Sequence, residues 1–215
     1  MKKIFIFLVL FFALFNQAQE SRGKLIDFNF SNIVVASNSL GTPQFGSTPW
    51  PTTLGLLINN PNCTITNLSV SGKSISEILT DFPFQIPQLF QVGKTNVLIV
   101  HEMINDRFFK RSATLSESII KFKKYCLDAR NIGYKVIIVT QYDTVYECRQ
   151  ELLDYNVWAL QNWDGSSNAI VDVWQEPIYR DATNTTNFPD GIHPGIIGVA
   201  PMAPMIFATL KKISK

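Results

Sequence analysis

The sequence has 215 residues, enough for one domain with its own apolar core and no need of metal or disulfide staples. Its 19 Lys and Arg against 17 Asp and Glu leave a net charge of +2, and the basic residues are scattered rather than banded. No polyanion partner such as nucleic acid is therefore suggested.

The first 15 residues place Lys2 and Lys3 ahead of an apolar run from Ile4 to Phe15, with Ala18 and Gln19 after it. This pattern reads as a secretory signal peptide over residues 1–19, and the run is short for a membrane span of roughly 20 residues. An uncleaved anchor is the other reading. No Cys directly follows the run, which argues against a lipid-anchored form. Loss of Lys2 and Lys3 leaves the mature chain neutral, and residues 20–215 are expected to form a single secreted or periplasmic domain with no stable membrane span.

Beyond the signal, short apolar β-branched runs alternate with helical patterns. The strand candidates are Asn32 to Ala36, Thr64 to Val70, Asn96 to Val100, Lys135 to Thr140 and Ala169 to Val173. Most are nearly all apolar, as befits strands covered on both faces. Between them the spacing predicts helices over Thr52 to Ile58, Ile75 to Thr80 (followed by a Pro-rich loop with Pro83 and Pro87), Leu115 to Asn131, Thr144 to Gln161 and Ile196 to Ile213. The alternation predicts an α/β fold, a three-layer α/β/α sandwich with about five parallel strands. Trp174 to Pro189 departs from this rhythm. Long irregular segments in compact domains are uncommon and often functional.

Export permits disulfides. Cys63, Cys126 and Cys148 are odd in number, however, and read first as buried small hydrophobes, with a Cys126–Cys148 bridge as the alternative. No Cys-x-x-Cys pair exists, and the two His stand far apart at 101 and 193, so no zinc framework is suggested.

Four strand ends carry residues suited to chemistry. Ser39 closes Ile33-Val34-Val35-Ala36-Ser37-Asn38-Ser39, which delivers a hydroxyl to the carboxyl edge of a parallel sheet, where open α/β folds place their sites. Serine needs a base, and the base needs a carboxylate on its other nitrogen. Asp190 and His193, in Asp190-Gly191-Ile192-His193-Pro194, could supply both. Gly72 and Asn105 follow two further strands and offer amide donors for a developing oxyanion, beside the Ser39 amide. Singly, each residue also has a plain structural reading: turn serine, helix cap, turn glycine, loop histidine.

Together these blocks resemble the SGNH hydrolases, or GDSL-type esterases and lipases, whose motifs carry a Ser, a Gly, an Asn and an Asp-x-x-His in that order. Phe188-Pro189-Asp190-Gly191-Ile192-His193-Pro194 with Gly198 is the strongest match, and the resemblance runs from about Asn32 to the C-terminus. It implies a flavodoxin-like SGNH fold, catalytic Ser39, Asp190 and His193, and an oxyanion hole of Ser39, Gly72 and Asn105. Two departures stand out. Ser37 and Asn38 replace the usual Gly-Asp before the nucleophile, and Met103 stands where a Gly usually precedes the Asn by two places. Ser37 and Met103 are expected to fit only if neither backbone needs a positive φ.

Ser37-Asn38-Ser39-Leu40-Gly41 is also one Gly short of an α/β-hydrolase elbow, but an acid and a His in one loop favour the SGNH frame. His101 reads as structural or as a substrate contact. Trp50, Trp158, Trp163 and Trp174 read as core or pocket wall. The expected function is hydrolysis of carboxylic esters, small-molecule or glycan-borne, with acetyl esters on glycans favoured by export, and with no cofactor or metal. The alternatives are a catalytically silent carbohydrate-binding or surface-interaction protein and an acyltransferase.

Overall fold

The structure is a computed structural model that describes residues 30–108 and 113–213; the expected signal peptide lies outside the described residues. Among these residues five strands form one sheet: β1 (Phe30–Ser37), β2 (Thr64–Asn67), β3 (Thr95–His101), β4 (Lys135–Val139) and β5 (Ala169–Val171). Their order is β2-β1-β3-β4-β5, and every neighbouring pair is parallel. Parallel strands cannot be joined by tight hairpins, so the chain returns through helices. These are α1 (Trp50–Ile58), α2 (Ile75–Leu89), α3 (Ile104–Phe108), α4 (Leu115–Ile132), α5 (Arg149–Ser166), α6 (Ile196–Val199) and α7 (Met202–Ile213).

The helix α1 packs against α7, while α4 packs between α2 and α5, which gives the expected α/β/α sandwich. Ile33-Val34-Val35, Val97-Leu98-Ile99-Val100 and Val136-Ile137-Ile138-Val139 are all fully buried, because both faces of the central strands are covered. The stretch 196–213 is apolar enough to cross a membrane by length and composition. Yet Met202, Ala203, Ile206 and Leu210 are spent in the core.

Four elements depart clearly from the pattern read in sequence. The helix α2 runs through Pro83 and Pro87 to Leu89 instead of ending at Thr80. Each proline removes a backbone donor, but Ile75, Ile78, Phe82 and Ile86 bury one stripe, and the capping box of Ser74 and Glu77 secures the start. The strand β2 stops at Asn67, not Val70, because Asn67 Oδ1 accepts the Ser69 amide at 3.1 Å and turns the chain. The helix α5 begins at Arg149, not Thr144. The Thr144 hydroxyl and the Val145 amide both donate to the Gly191 carbonyl, at 3.0 and 3.2 Å, so this segment is committed to a distant loop. The expected helix over Ile196 to Ile213 is divided into α6 and α7 around Pro201. None of the three cysteines is in a disulfide, so Cys126 and Cys148 form no bridge.

The strand β2 lies on one side of β1 and β3 on the other, so the winding direction reverses at the β1/β3 boundary. In open α/β sheets the crevice outside such a reversal, at the carboxyl ends of the strands, is where sites form.

Candidate active site

Ser39 opens a short 3-10 turn, Ser39–Gly41, directly after β1. Asn38 caps it, its Oδ1 accepting the Leu40 amide at 2.9 Å, and the Gly41 and Thr42 amides return to the carbonyls of Asn38 and Ser39. Gly41 is needed for closeness: a Cβ there would lie 2.1 Å from Ser69 Oγ. Asn67 Nδ2 donates to the Gly41 carbonyl at 2.9 Å, which ties the turn to the loop after β2.

The irregular segment after β5 delivers the other two groups. Asp190 Oδ1 accepts the amides of Ile192 and His193, at 3.0 and 2.7 Å, and Oδ2 lies 2.7 Å from His193 Nδ1. On the far side of the ring, Nε2 lies 2.8 Å from Ser39 Oγ. With the proton on Nδ1, the ring donates to Asp190 and accepts from the Ser39 hydroxyl. Burial pushes the Asp190 carboxyl up, but hydrogen bonds from the His193 ring and amide and the Ile192 amide outweigh it and hold the pKa below its ordinary value. Ser39 is buried and the His193 side chain partly exposed.

The loop owes its shape to contacts across the sheet edge. Gly191 has φ +73°, and a Cβ on it would stand 2.3 Å from Val145 Cγ2. The Tyr146 hydroxyl donates to the Asp190 carbonyl at 3.1 Å. Thr144, Val145 and Tyr146 thus support the Asp190–His193 loop, a role sequence reading missed because they look like the start of a helix.

Gly72 adopts φ +80° in the turn after β2. Asn105, buried in the first turn of α3, donates from Nδ2 to the Lys73 carbonyl at 2.8 Å. Asp106 Oδ2 accepts the Ile75 amide at 2.6 Å, so α3 also holds the start of α2. Among the described residues the backbone N–H groups of Ser39 and Gly72 take no hydrogen-bond partner. The four strand-end blocks therefore lie on one sheet edge, with Ser39, His193 and Asp190 in direct contact and Asn105 bonded to the residue after Gly72.

The departures fare differently. Ser37 has no positive φ, and its hydroxyl donates to the His101 carbonyl at 2.8 Å. Met103, fully buried, has φ +154°, so the condition expected for it fails: the backbone keeps a conformation that favours glycine, and core packing holds a side chain there regardless. His101 is fully buried between Trp50 and Tyr142, with ring centroids at 6.5 and 5.6 Å. Burial pushes its pKa down to about 3, so it is a neutral structural ring rather than a substrate contact. Trp50 is core, Trp158 packs on Phe122 and Tyr155, and Trp174 Nε1 donates to the Gln141 carbonyl at 2.9 Å. The Trp163 side chain lies outside the described residues. A cavity of about 340 Å³ lined by Arg107, Glu147, Cys148 and Glu151 includes none of Ser39, Asp190 or His193.

No protein-family model matches the sequence, and no curated protein does. Solved structures do. A GDSL-like lipase from Bacteroides thetaiotaomicron superposes with a TM-score of 0.69 at 14% identity, over 92% of this chain and 96% of that one. The chain has the SGNH, or GDSL-type, hydrolase fold. The acetylxylan esterase Axe2 of Geobacillus stearothermophilus matches at TM-score 0.66 and 15% identity, over 84% of this chain and 94% of its own. The esterase EstA of Pseudoalteromonas sp., in a structure inhibited by monoethylphosphonate, matches at 0.67 and 13%, over 85% and 98%. At such identities the SGNH fold is held by its pattern of burial and turns, while most side chains have been exchanged.

Proposed function

We propose that the protein is an exported serine esterase that hydrolyses carboxylic esters. The observation that carries this reading is the continuous contact from Asp190 through His193 to Ser39, at 2.7 and 2.8 Å. In the proposed reaction His193 Nε2 takes the Ser39 proton as Oγ attacks the ester carbonyl, and Asp190 fixes the ring tautomer and stabilises the imidazolium. The amides of Ser39 and Gly72 and the side chain of Asn105 receive the oxyanion. The imidazolium returns its proton to the leaving alcohol. Water, activated by the same His193, then releases the acid and restores Ser39. The chemistry is complete with these side chains and water.

Acetyl groups on extracellular glycans are the substrates put first, supported by the signal-like first 19 residues and the neutral chain after them. The test is hydrolysis of short-chain nitrophenyl esters and acetylated oligosaccharides by wild type beside Ser39→Ala, with phosphonate labelling of Ser39. Turnover should fall on the order of 10⁶ in the variant. Equal hydrolysis by both proteins would end the proposal.

A further inference from the structure

The last register pair of β1 and β3 is Ser37 with His101, so Asn38 and Glu102 are the next residues out on adjacent parallel strands. Both side chains are fully buried. Asn38 Oδ1 is committed to the Leu40 amide in the turn that carries Ser39, which leaves Nδ2 for an acceptor deeper in the protein. The Asn38 amide approaches the Glu102 carboxyl closely enough to favour its ionised form, yet without the geometry of a full hydrogen bond. Among the described residues no full hydrogen bond reaches either Glu102 oxygen, and besides Asn38 only the Met103 amide favours its ionised form. An uncompensated carboxylate in such a place is costly.

No cation acts on Glu102 directly, and the nearest ones, Lys121 and Arg107, face Asp106. Asp106 from α3 and Glu77 from α2 repel a charge at 102, Tyr155 from α5 is a weak acid nearby, and Gln141 gives its Nε2 to the Glu102 backbone carbonyl at 3.2 Å. His101, the preceding residue, is held neutral by burial. Burial first, then Asp106 and Glu77, push the Glu102 carboxyl well above its ordinary value, against the smaller pull of the Met103 amide and Asn38.

We propose that Asn38 and Glu102, buried side by side at the ends of β1 and β3, are a matched pair that positions the nucleophile turn, the carboxyl at 102 meeting an uncharged amide at 38. The amide stands at 38 because a carboxylate there would face Glu102 across the end of the sheet. This inference rests on the reading of Ser39 as nucleophile and makes both residues positioning residues, since neither is among the groups in contact with Ser39 Oγ.

The sign of the pH effect follows from the raised folded value. The folded chain holds the Glu102 proton more tightly than the unfolded chain, so its stabilising contribution is complete below the ordinary glutamate range. It is lost as pH rises towards the folded value. A second carboxyl at 38 deepens that loss, because two acids at one site cannot both ionise cheaply.

The experiment uses the full chain as wild type, Asn38→Asp, Glu102→Gln and the double variant. Unfolding midpoints are measured between about pH 5 and pH 9, alongside kcat/KM on a short-chain nitrophenyl ester. Asn38→Asp should be destabilised increasingly as pH rises and lose about tenfold or more in kcat/KM at the alkaline end, with the loss shrinking towards acid. Adding Glu102→Gln should restore both, because the acid–amide pair is then re-formed in reverse. An Asn38→Asp variant that matches wild type across the range, or a loss that Glu102→Gln leaves untouched, overturns the pairing. If Asn38→Asp does not fold, recovery of folded protein in the double variant supports the pair and its absence overturns it. The unfolding measurement needs no hydrolysis, so a chain inactive on esters, which would end the proposed function, still decides the pairing.

Discussion

His193 Nε2 and Ser39 Oγ stand 2.8 Å apart across 154 positions of sequence. The contact is made by two backbones shaped independently: a 3-10 turn capped by Asn38 at the end of β1, and a loop held by Gly191 and its neighbours ahead of α6. Its alignment depends on the ring being held from behind. Asp190→Asn should therefore lower kcat by on the order of 10⁴ on a nitrophenyl ester, since an amide at 190 favours the wrong tautomer. An Asp190→Asn variant within tenfold of wild type would contradict the role proposed for Asp190 (tenfold being about 1.4 kcal/mol of transition-state stabilisation).

The lowered pKa of Asp190 gives a second handle, in acid. A carboxyl whose folded pKa is depressed contributes stability that is present above its unfolded value and is lost as pH falls through the folded one. Unfolding followed downward from neutral pH should show wild type losing stability below the ordinary aspartate range. Asp190→Asn should lack that part of the decline.

Gly191 is constrained twice, by φ +73° and by Val145. Gly191→Ala should cost about 1–3 kcal/mol in unfolding free energy and lower kcat, because the loop that carries Asp190 and His193 must shift. Adding Val145→Ala relieves the steric part alone, so the double variant should recover some stability and not all. Full recovery would mean that the positive φ costs nothing.

Met103 offers a test in the opposite direction. Truncating this buried side chain should cost about 2–5 kcal/mol through the lost packing. Glycine tolerates φ +154° and alanine does not. Met103→Gly should therefore be the more stable of the two variants by about 1 kcal/mol, the reverse of the usual order. Thermal or denaturant unfolding of the pair settles the order.

The cysteines should titrate as three thiols in denaturant without reductant. In the native protein burial raises the Cys63 thiol and raises that of fully buried Cys126 further, so Cys63, half-buried, should react slowly and Cys126 not at all. Detection of a Cys126–Cys148 bridge by mass spectrometry would contradict the structure.

Much of the fold was legible because its causes are local. The fully apolar runs of β1, β3 and β4 and the capped stripe of α4 state their own secondary structure, and the alternation of the two allows little but a parallel sheet with helices on both faces. The site residues were legible for a related reason: each sits in a short sequence block, Ser39, Gly72 and Asn105 soon after a strand and Asp190 with His193 in one turn ahead of α6. Where local pattern misled, a distant partner was responsible. Thr144 and Val145 leave the expected helix because Gly191 accepts their hydrogen bonds, and α2 passes through two prolines because four residues of one face are buried.

By itself, then, the sequence determined the sandwich and pointed to Ser39, Gly72, Asn105, Asp190 and His193 as the candidates for one site. Only the tertiary structure decided that His193 reaches Ser39, that Met103 occupies a glycine conformation, that His101 is sealed in the core, and that Glu102 lies buried beside Asn38. The physical reason is that propensity and spacing act over a few residues. Ionisation, strain and contact distance are set by whatever the fold brings alongside, and that neighbour is most often far away in the chain.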